Sequence, residues 1–543
     1  MSAPVARRFA ACWFARNWFT RKRLHDPLVL VCLVAGLSTF AAQSGELGSA
    51  DTGQRLQTTH SFWTSEPAVY PEEYPEFGIY GRDGKLHDWY GMGQPVLMLP
   101  ADIVGTYLSE MQIFARYDDT DPSVRDIVVS YSTNILISVL TALICFRFLR
   151  QLRFSTAEAV AGVLALLFCT THLHYAQNMM ENNYILLLTF AGFSFQYEWL
   201  QTGSMRPLVI GSAAFGLNLL TRLTTGLDLL AGGIFLLLAL WFEGTHAKEI
   251  WLRATRYMKV ALPVYACFGL VDRWYQWHRF GSFFSTYVSL FAEKYKHLDP
   301  TLPASYPWET PFHVGFFGAL FTPEKSIFLF DPLLVLMILV AVFAWKRFAP
   351  QVKAYLLAAT SLLLAYICFY ARYTVWSGDF AWGDRYVSTA AQFLAFISVP
   401  LLLRYRRQLG RFVWWSGMAL ISASVLIQLA SILFWVPLEI YQMETLGHPT
   451  FVIGLRFKNI LAFILDRMKP WGLVNDSMMQ DQWDYVHITA WNFLPFLLRR
   501  VGVASALAVR IAFVLWYASL AALTWVLARL WRVTRHVAGP EIG

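Results

Sequence analysis

The segment LVLVCLVAGLSTFAAQSGELGSAD (residues 28–51) is an apolar run followed at once by a polar stretch that ends in a carboxylate. The apolar part, residues 27–43, is long enough to cross the hydrocarbon core of a bilayer as a helix. About eleven similar apolar segments follow it along the chain. Asp51 is therefore predicted to lie just beyond the first span, at the membrane surface.

The composition is that of a membrane protein. Hydrophobic residues make up 56% of the 543 residues, charged residues only 15%, and the mean hydropathy is +0.43. A soluble chain of this length would form several domains with charged surfaces. The apolar runs instead predict an all-α polytopic membrane protein with about 12 transmembrane helices and with juxtamembrane helices in large extracytoplasmic loops. The predicted spans are residues 27–43, 126–148, 157–175, 183–200, 207–221, 225–242, 258–272, 326–345, 354–372, 386–403, 411–436 and 507–530.

Basic residues indicate the orientation of these spans. They precede the first span, recur in every second loop and return in the C-terminal tail, as at Arg147 and Arg535. Because short cytoplasmic loops carry an excess of Lys and Arg, both termini are predicted to be cytoplasmic, which requires an even number of spans. The net charge of +8 then reflects topology, and no nucleic-acid partner is expected. The first run lacks a small-residue cleavage site and is interpreted as a retained anchor.

The predicted topology places three long segments and two short ones outside the cytoplasm. The short ones are 173–182 and 373–385, and the segments GQPVLMLPADIVGTYL (93–108) and 483–500 are predicted to be interfacial helices. The predicted division of the chain is a cytoplasmic basic N-terminus (1–26), a transmembrane core (27–436) with extracytoplasmic loops 44–125 and 273–325, an extracytoplasmic loop (437–506), and a last span with a cytoplasmic tail (507–543).

Asp51 is the first candidate for chemistry. It lies in a polar loop with Ser49 and Arg55, close to the membrane. A carboxylate there can accept the proton of an incoming hydroxyl while the oxygen attacks an electrophile held at the bilayer edge. The alternative is structural, because Asp51 could instead be the N-cap of a juxtamembrane helix.

A second candidate is the segment WSGDFAWGDRY (376–386), which lies between two spans on the predicted outer face. Arg385 carries a rigid fork of donors that suits a phosphate. Trp376, Trp382 and Tyr386 could flank a sugar ring or the neck of a lipid. The alternative is an aromatic belt with a surface ion pair between Asp384 and Arg385.

Three further groups could contribute. Glu181 lies in the short outer hairpin HLHYAQNMMENNY (172–184), whose histidines 172 and 174 are spaced i, i+2 and so do not share a helical face for a metal. Arg222 interrupts an apolar region at membrane depth, where a charge is either functional or paired, here with Asp228. The acidic run DDTD (118–121) could bind a metal but is better explained as a solvated turn. No metal ligands are predicted.

Several segments then stand in the order expected of one family. They are Asp51 after the first helix, WYGMGQPVLMLP (89–100), HYAQNMMENNYILLL (174–188), NLLTRLTTGL (218–227), LFTPEKSIFLFDPLL (320–334) and WSGDFAWGDRYV (376–387). Together they resemble the GT-C superfamily of integral-membrane glycosyltransferases, in its bacterial protein O-mannosyltransferase and aminoarabinose-transferase-like branch. The chain departs from that pattern in having Asp51 where an acidic pair is frequent, with Glu46 five residues earlier, Asp384 where proline is common, and Ser326 in place of a usual glycine.

The resemblance implies an inverting, metal-independent transfer of a sugar from a polyprenyl-phosphate donor, without a cofactor, at the outer face of a bacterial inner membrane. The acceptor could be a protein, a lipid or a glycan. Asp51 is expected to be the base and Glu181 to orient a substrate, while Arg385, with Arg222 or Lys325, stabilises the lipid phosphate. The remaining expected substrate contacts are Arg55, Tyr90, His174, Trp376, Trp382 and Asp384.

Three alternatives remain open from the sequence. A transporter or lipid flippase would carry charged residues deep within several spans and broken helices in two halves. A glycan polymerase or ligase would use a pyrophosphate-linked donor. A membrane scaffold that has lost catalysis would explain the absence of a second acid beside Asp51.

Overall fold

Helices make up nearly all of the regular structure in the computed structural model, which describes residues 25–70, 77–114, 122–449, 452–475, 490–501 and 504–537. Only one small antiparallel sheet occurs in this described part, with Ile79 opposite His87 and Tyr80 opposite Leu86. The all-α class predicted from the sequence is therefore confirmed. Most of the basic N-terminus (residues 1–24), the acidic run 118–121 and residues 483–489 lie outside the described residues.

The first part of the chain forms α1 (Pro27–Ala42), α2 (Ala50–Ser61), β1 (Ile79–Tyr80), β2 (Leu86–His87), α3 (Gly93–Ser109), α4 (Val124–Gln151), α5 (Thr156–Cys169), α6 (His172–Gln177), α7 (Asn182–Thr202), α8 (Met205–Thr221), a 3₁₀ turn (Leu223–Thr225), α9 (Gly226–Phe242), α10 (Ala247–Phe280) and α11 (Tyr287–Leu298). The remainder forms α12 (Phe312–Phe321), α13 (Ile327–Phe330), α14 (Leu333–Ala344), a 3₁₀ turn (Trp345–Arg347), α15 (Pro350–Tyr370), α16 (Ser388–Ala395), α17 (Ser398–Arg404), α18 (Arg406–Leu433), α19 (Val436–Leu446), α20 (Ile453–Ile464), α21 (Leu494–Val501) and α22 (Ala506–Val537). The predicted interfacial helix at 93–108 corresponds to α3.

Five helical segments of the described chain are long and apolar enough to cross a membrane. They are Val124–Gln151, Leu223–Phe242, Pro350–Tyr370, Arg406–Leu433 and Ala506–Arg535. Each coincides with one predicted span. Shorter apolar helices are found at Pro27–Ala42, Thr156–Cys169, Phe312–Phe321 and Ser388–Arg404. A helical membrane protein is thus supported, whereas the count of twelve spans stays a prediction.

Two predicted spans are interrupted in the structure. The break at Arg222 is not among these interruptions, because it lies between the predicted spans 207–221 and 225–242. The predicted span 326–345 is divided between α13 and α14 before Leu333, because Pro332 has no N–H to continue the helical hydrogen bonds. The predicted span 386–403 is likewise two helices, α16 and α17. These breaks place polar side chains at helix ends.

An aromatic core packs α4, α7, α9, α15 and α16 together. The Phe193 ring stacks on Phe235 with centroids 5.4 Å apart, and the Phe190 ring meets Phe393 edge to face at 4.8 Å. Gly192 permits the close approach of α8, since a Cβ there would lie 2.5 Å from the Phe215 ring. This core fixes the helices whose ends carry the polar residues described below.

One buried amide joins three distant segments. Gln177 Nε2 donates to the carbonyls of Ala42 at 2.6 Å, Ile432 at 3.1 Å and Asn492 at 2.7 Å, and Asn492 Nδ2 donates back to Gln177 Oε1 at 2.9 Å. The ends of α1 and α18 and the segment before α21 therefore meet beside α6. This holds the loop that leads to Asp51 against α6.

The described part of 437–506 packs against the rest through a fully buried ion pair. The Arg456 guanidinium donates to both oxygens of Glu439, and its Nη1 also donates to the carbonyls of Ala430 and Ser431 at 3.0 and 3.1 Å. The same guanidinium lies 4.9 Å from the centre of the Trp382 ring. The segment 376–386 is therefore held between α18 and this loop.

Candidate active site

Asp51 lies in the first turn of α2, just after the loop that follows α1. The N-cap of this helix is Ser49, whose hydroxyl accepts a hydrogen bond from the Thr52 N–H at 3.2 Å. The alternative role of Asp51 as the cap is therefore wrong, and its carboxylate is left for contacts outside the helix. The helix N-terminus also favours its ionised form.

The Asp51 carboxylate pairs with Arg385. Arg385 Nη1 lies 2.9 Å from Asp51 Oδ2, and the Tyr90 hydroxyl donates to Oδ1 at 2.7 Å. Burial alone would raise the pKa of Asp51, but the charges of Arg385 and Arg55 and the Tyr90 hydrogen bond outweigh it and hold this pKa below its usual range. The structure thus brings together the two residues to which the sequence assigns the base and the phosphate contact, and Asp51 is a carboxylate at neutral pH.

Glu181 is bound by two guanidinium groups. Arg55 Nη2 lies 2.5 Å from Oε2, and Arg222 Nη2 donates to Oε1. The side chains of Arg55, Glu181 and Arg222 are only 8%, 6% and 17% exposed. Burial raises the pKa of Glu181, but Arg222 and Arg55 together hold it below its usual range. Glu181 is therefore the charged counter-ion that fixes both guanidinium groups.

Arg222 lies at the break between α8 and the following 3₁₀ turn, with an extended backbone. Its guanidinium is directed towards Glu181 and lies 5.2 Å from the centre of the Tyr386 ring. Asp228 is instead buried in the helix packing, where the Thr189 hydroxyl donates to its Oδ2 at 3.3 Å. The predicted Arg222–Asp228 ion pair is therefore wrong, because Arg222 pairs with Glu181 while Asp228, within α9, accepts hydrogen bonds from Thr189 and Asn218.

Aromatic rings support the charged groups. The Arg55 guanidinium lies 4.1 Å from the centre of the Tyr90 ring, and Arg385 lies 5.2 Å from that of Tyr386. Asn182 Nδ2 donates to the Arg385 carbonyl at 2.6 Å and thereby links α7 to the 376–386 segment. Arg55 Nη1 is buried and has no hydrogen-bond partner among the described residues, so this N–H can serve an anionic ligand.

Two cavities meet at the Asp51–Arg385 pair, since both residues line each of them. The first cavity, of about 810 Å³ including space open to solvent, is lined by Asp51, Arg55, Trp89, Tyr90, Gly91, Glu181, Leu219, Thr221, Arg222, Leu223, Thr224, Asp272, Gln276, Thr286, Val288, Phe369, Tyr370, Tyr373, Arg385 and Tyr386. The second cavity, of about 1930 Å³ on the same measure, is lined by Glu46, Leu47, Gly48, Ser49, Ala50, Asp51, Gly53, Gln54, Leu56, Gln57, Tyr70, Arg125, Asp126, Asn178, Met180, Asp379, Phe380, Arg385, Val436, Pro437, Ile440 and Asn492.

The two cavities differ in their surroundings. Leu223 and Phe369, on the wall of the first cavity, have exposed apolar side chains, so its edge reaches the apolar outer surface. The second cavity lies among polar side chains of α2, the start of α4 and the 376–386 segment. A lipid can thus approach the ion pair from one side and a polar molecule from the other.

Five predicted substrate contacts line neither cavity. The Lys325 ammonium donates to the carbonyls of Asp379, Ala381 and Gly383 at 2.6, 2.9 and 3.3 Å. Those bonds support the backbone of the 376–386 segment from behind, so the prediction that Lys325 faces a lipid phosphate is not supported by this geometry.

The other four are engaged in packing. Trp382 is fully buried against Phe330, with ring centroids 5.0 Å apart, and His174 is buried beside it at 6.1 Å. Asp384 is buried and accepts the Tyr386 N–H at 3.0 Å, so it is not the surface partner of the neighbouring guanidinium. Trp376 packs on α12 at Gly318, where a Cβ would lie 2.2 Å from the indole. As direct substrate contacts, these four predictions are corrected to structural positions.

Other cavity residues were not found from the sequence. Trp89, Tyr370 and Tyr373 supply aromatic walls, and Asp272 with Gln276 supplies polar groups from α10. The i, i+4 spacing of Asp272 and Gln276 was a usable signal, because two polar groups then share one helix face. The predicted span 258–272 ends at the first of these two residues, whereas α10 continues to Phe280 and carries both on one face.

Comparison with known proteins adds no family assignment: no protein-family model matches the chain, and no curated protein matches it. The function is therefore argued from the two cavities and the charged groups between them. The resemblance to GT-C glycosyltransferases stays a prediction.

Proposed function

We propose that the chain is a membrane glycosyltransferase that moves a sugar from a polyprenyl-phosphate donor to an acceptor hydroxyl on the extracytoplasmic face. The observation that carries this proposal is the Asp51–Arg385 ion pair at the junction of the two cavities. A base and a phosphate-binding group at one junction are what a single displacement between two substrates requires.

The proposed topology has about 12 spans with both termini cytoplasmic, in a bacterial inner membrane and with a GT-C-like arrangement. Its support is the origin of the cavity residues. Asp51, Glu181 and Arg385 come from segments that the basic-residue pattern places outside the cytoplasm, and Arg222 lies at a predicted outer turn. Alternation of loops across a membrane is the simplest reason why segments so distant in sequence share one cavity.

In the proposed reaction, the Asp51 carboxylate removes the proton from the acceptor hydroxyl while the hydroxyl oxygen attacks the anomeric carbon of the donor sugar. The bond between that carbon and the lipid phosphate breaks, and polyprenyl phosphate leaves. One base behind the anomeric carbon and one leaving group in front of it invert the configuration. General-base assistance of this kind contributes about 10²–10⁴ in rate.

The leaving phosphate is stabilised by the three guanidinium groups of the first cavity, Arg55, Arg222 and Arg385. Two carboxylates, Asp51 and Glu181, balance part of their charge, so a site for one monophosphate remains. A monophosphate develops less charge than a pyrophosphate, and the proposed transfer therefore requires neither a metal nor a cofactor. When the phosphate binds Arg385, the positive charge of this guanidinium is partly neutralised by the phosphate. Arg385 then stabilises the Asp51 carboxylate less, and Asp51 becomes a stronger base.

The two cavities give the substrates separate approaches. The first cavity reaches the apolar surface at Leu223 and Phe369, which suits a donor whose isoprenoid tail stays in the membrane. The second cavity is wider and polar, which suits a protein, lipid or glycan acceptor from outside. Direct substrate contact is proposed for Asp51, Arg385 and the three paired residues Arg55, Glu181 and Arg222.

The proposal is tested with purified protein in nanodiscs that contain a radiolabelled polyprenyl-phosphate sugar. Fractions of envelope protein, lipid and glycan are offered as acceptors, and the label remaining on the donor lipid is followed. We expect the label to leave the monophosphate lipid and to appear on one acceptor class. Label that crosses the bilayer while still on its lipid would support a flippase instead, and loss only from a pyrophosphate donor would support a polymerase or ligase.

A further inference from the structure

The face of α10 that borders the first cavity carries two polar side chains to which no role has been given so far. Asp272 and Gln276 lie one helical turn apart and both line the cavity. They are only 2% and 3% exposed, so neither is a solvated surface group. Buried polar groups normally satisfy their hydrogen-bonding capacity within the protein, and these two do so only in part.

Each side chain has one engaged end and one available end. The Asp272 Oδ2 atom accepts hydrogen bonds from Arg273 Nε at 2.9 Å and Nη2 at 2.5 Å, while no hydrogen bond reaches Oδ1 from any described residue. Gln276 Oε1 accepts from Arg279 Nη2 at 3.4 Å, while Gln276 Nε2 has no acceptor among the described residues. The cavity wall therefore presents one hydrogen-bond acceptor, Asp272 Oδ1, and one donor, Gln276 Nε2, a helical turn apart.

The surrounding structure holds this face in place. Arg279, one further turn along α10, donates to Asp88 Oδ1 at 2.7 Å and to the carbonyl of Tyr90 at 3.0 Å. Tyr90 is the residue whose hydroxyl binds Asp51. The face of α10 and the Asp51 carboxylate are therefore linked through a single rigid segment.

We propose that Asp272 Oδ1 and Gln276 Nε2 bind two neighbouring hydroxyl groups of the donor's sugar. A hydroxyl both donates and accepts, so one can donate to the carboxylate while the next accepts from the amide. Adjacent hydroxyls on a pyranose ring present such a pair at once, whereas the lipid and the phosphate carry neither. The proposal rests on the proposed function for the identity of the donor, and it assigns recognition of the sugar to α10 rather than to the segment 376–386.

The test combines side-chain and ligand changes. Binding to nanodisc-embedded protein is measured for polyprenyl-phosphate-linked glucose, mannose and galactose, and then for the mono-deoxy analogues of the tightest of them. For wild-type protein we expect the loss of either of two neighbouring hydroxyls to weaken binding about tenfold or more. In Gln276→Met and in Asp272→Asn, the parent sugar should bind as weakly as one of these two analogues, a different one for each variant, and the penalty for losing that hydroxyl should fall below about threefold. Gln408→Met and Asp466→Asn, at exposed positions, are the matched controls.

Each outcome is informative. Equal deoxy penalties in wild-type protein and in both variants would overturn the subsite, as would wild-type protein that binds all the deoxy analogues like the parent sugar. Asp272→Asn also weakens the contact with Arg273 and could prevent folding. In that case the Gln276→Met result alone decides between the outcomes. If wild-type protein discriminates between the hydroxyls but transfers label to no acceptor, the result would support the sugar subsite and contradict the proposed transferase activity.

Discussion

The Asp51–Arg385 pair sets the chemistry at the scale of single residues. Each group lowers the electrostatic cost of the other, so the carboxylate stays ionised although it is largely enclosed. A carboxylate in this state is a weak base until a second anion competes for Arg385. In the proposed mechanism, the pair therefore couples donor binding to the basicity of Asp51.

The pH dependence of transfer reports on this coupling. Because the pKa of Asp51 lies below its usual range of about 4, wild-type activity should not fall through loss of this carboxylate until the pH drops below that range. Arg385→Gln removes the largest effect that lowers this pKa, so the acid limb of its residual activity should move to higher pH. The measurement is the pH profile of kcat/KM for both proteins. An acid limb that stays in place would show that Arg385 does not control the protonation of Asp51.

Glu181 has a structural contribution that can be measured separately. Glu181→Gln leaves the buried Arg55 and Arg222 without their counter-ion and should destabilise the protein by about 3–5 kcal/mol. Glu198→Gln is the matched control, because its pair with Arg147 is 28% and 37% exposed and should be worth less than about 1 kcal/mol. Thermal unfolding in detergent measures both variants. Similar losses for the two would contradict the assigned role of Glu181.

The sequence revealed some of these residues and concealed others for physical reasons. Asp51 and Arg385 could be found because a charged group in a short polar loop of an apolar chain needs an explanation. Trp382 was misassigned because an amphipathic ring beside a span looks the same whether it faces a ligand or the core. Side-chain direction at the Arg222 break depends on backbone angles, which residue types do not reveal.

At the scale of elements, the segment 376–386 is positioned by one lysine. Its carbonyls at Asp379, Ala381 and Gly383 all accept from Lys325, which follows α12. Burial lowers the pKa of Lys325 even though the Asp384 carboxylate opposes this shift, and the neighbouring charges of Arg385, Asp379 and Glu324 also act on it. The three hydrogen bonds from the Lys325 ammonium hold the turn from which the Arg385 side chain reaches Asp51.

Removing this ammonium should misplace Arg385. Lys325→Met is expected to lower kcat by about 10²-fold, because a displacement of about 1 Å in a positioning group has that effect. Lys325→Arg keeps the charge and should restore part of the rate and extend activity to higher pH. Steady-state transfer assays check both, with Lys353→Met on α15 as the control. If Lys325→Met changed only the KM for the donor, Lys325 would contact the substrate directly, as the sequence first suggested.

Helix boundaries show where hydropathy patterns are insufficient. The break at Pro332 could have been predicted, because proline interrupts helical hydrogen bonding. The extension of α10 to Phe280 could not, because the charged and aromatic residues after 272 look like a loop to a hydropathy scale. They stay helical because Arg279 finds a buried partner in Asp88. Tertiary contacts therefore decided the element that carries Asp272 and Gln276.

The whole molecule brings distant parts of the chain to one place. Residues 51, 90, 181, 222, 276 and 385 line a single cavity, although they span more than half of the sequence. The predicted topology would account for this convergence, because it assigns each of these positions to an outer segment or to its border. Five helical segments of the described chain meet the length and hydropathy requirement for a span, and the count of twelve stays a prediction.

Accessibility of single cysteines tests the topology. In a cysteine-free background, Ala304→Cys in the exposed loop before α12 should react with an impermeant thiol reagent in spheroplasts with an intact inner membrane. Ala247→Cys, at the exposed start of α10, should react only after the membrane is permeabilised. Both substitutions replace a small, exposed alanine, so they are matched in size and burial. Labelling in the reverse order would place the cavities on the cytoplasmic side.

The role of Asp51 as the base can be decided by single-turnover transfer with Asp51→Asn protein, preloaded with labelled donor and mixed with acceptor. We expect the rate to fall by about 10²–10⁴, while the protein stays folded and binds the donor at least as tightly, because Arg385 is then released from Asp51. Asp466→Asn should behave as wild type. An Asp51→Asn protein that transfers sugar at nearly the wild-type rate would remove this carboxylate from the reaction and, with it, the proposed mechanism.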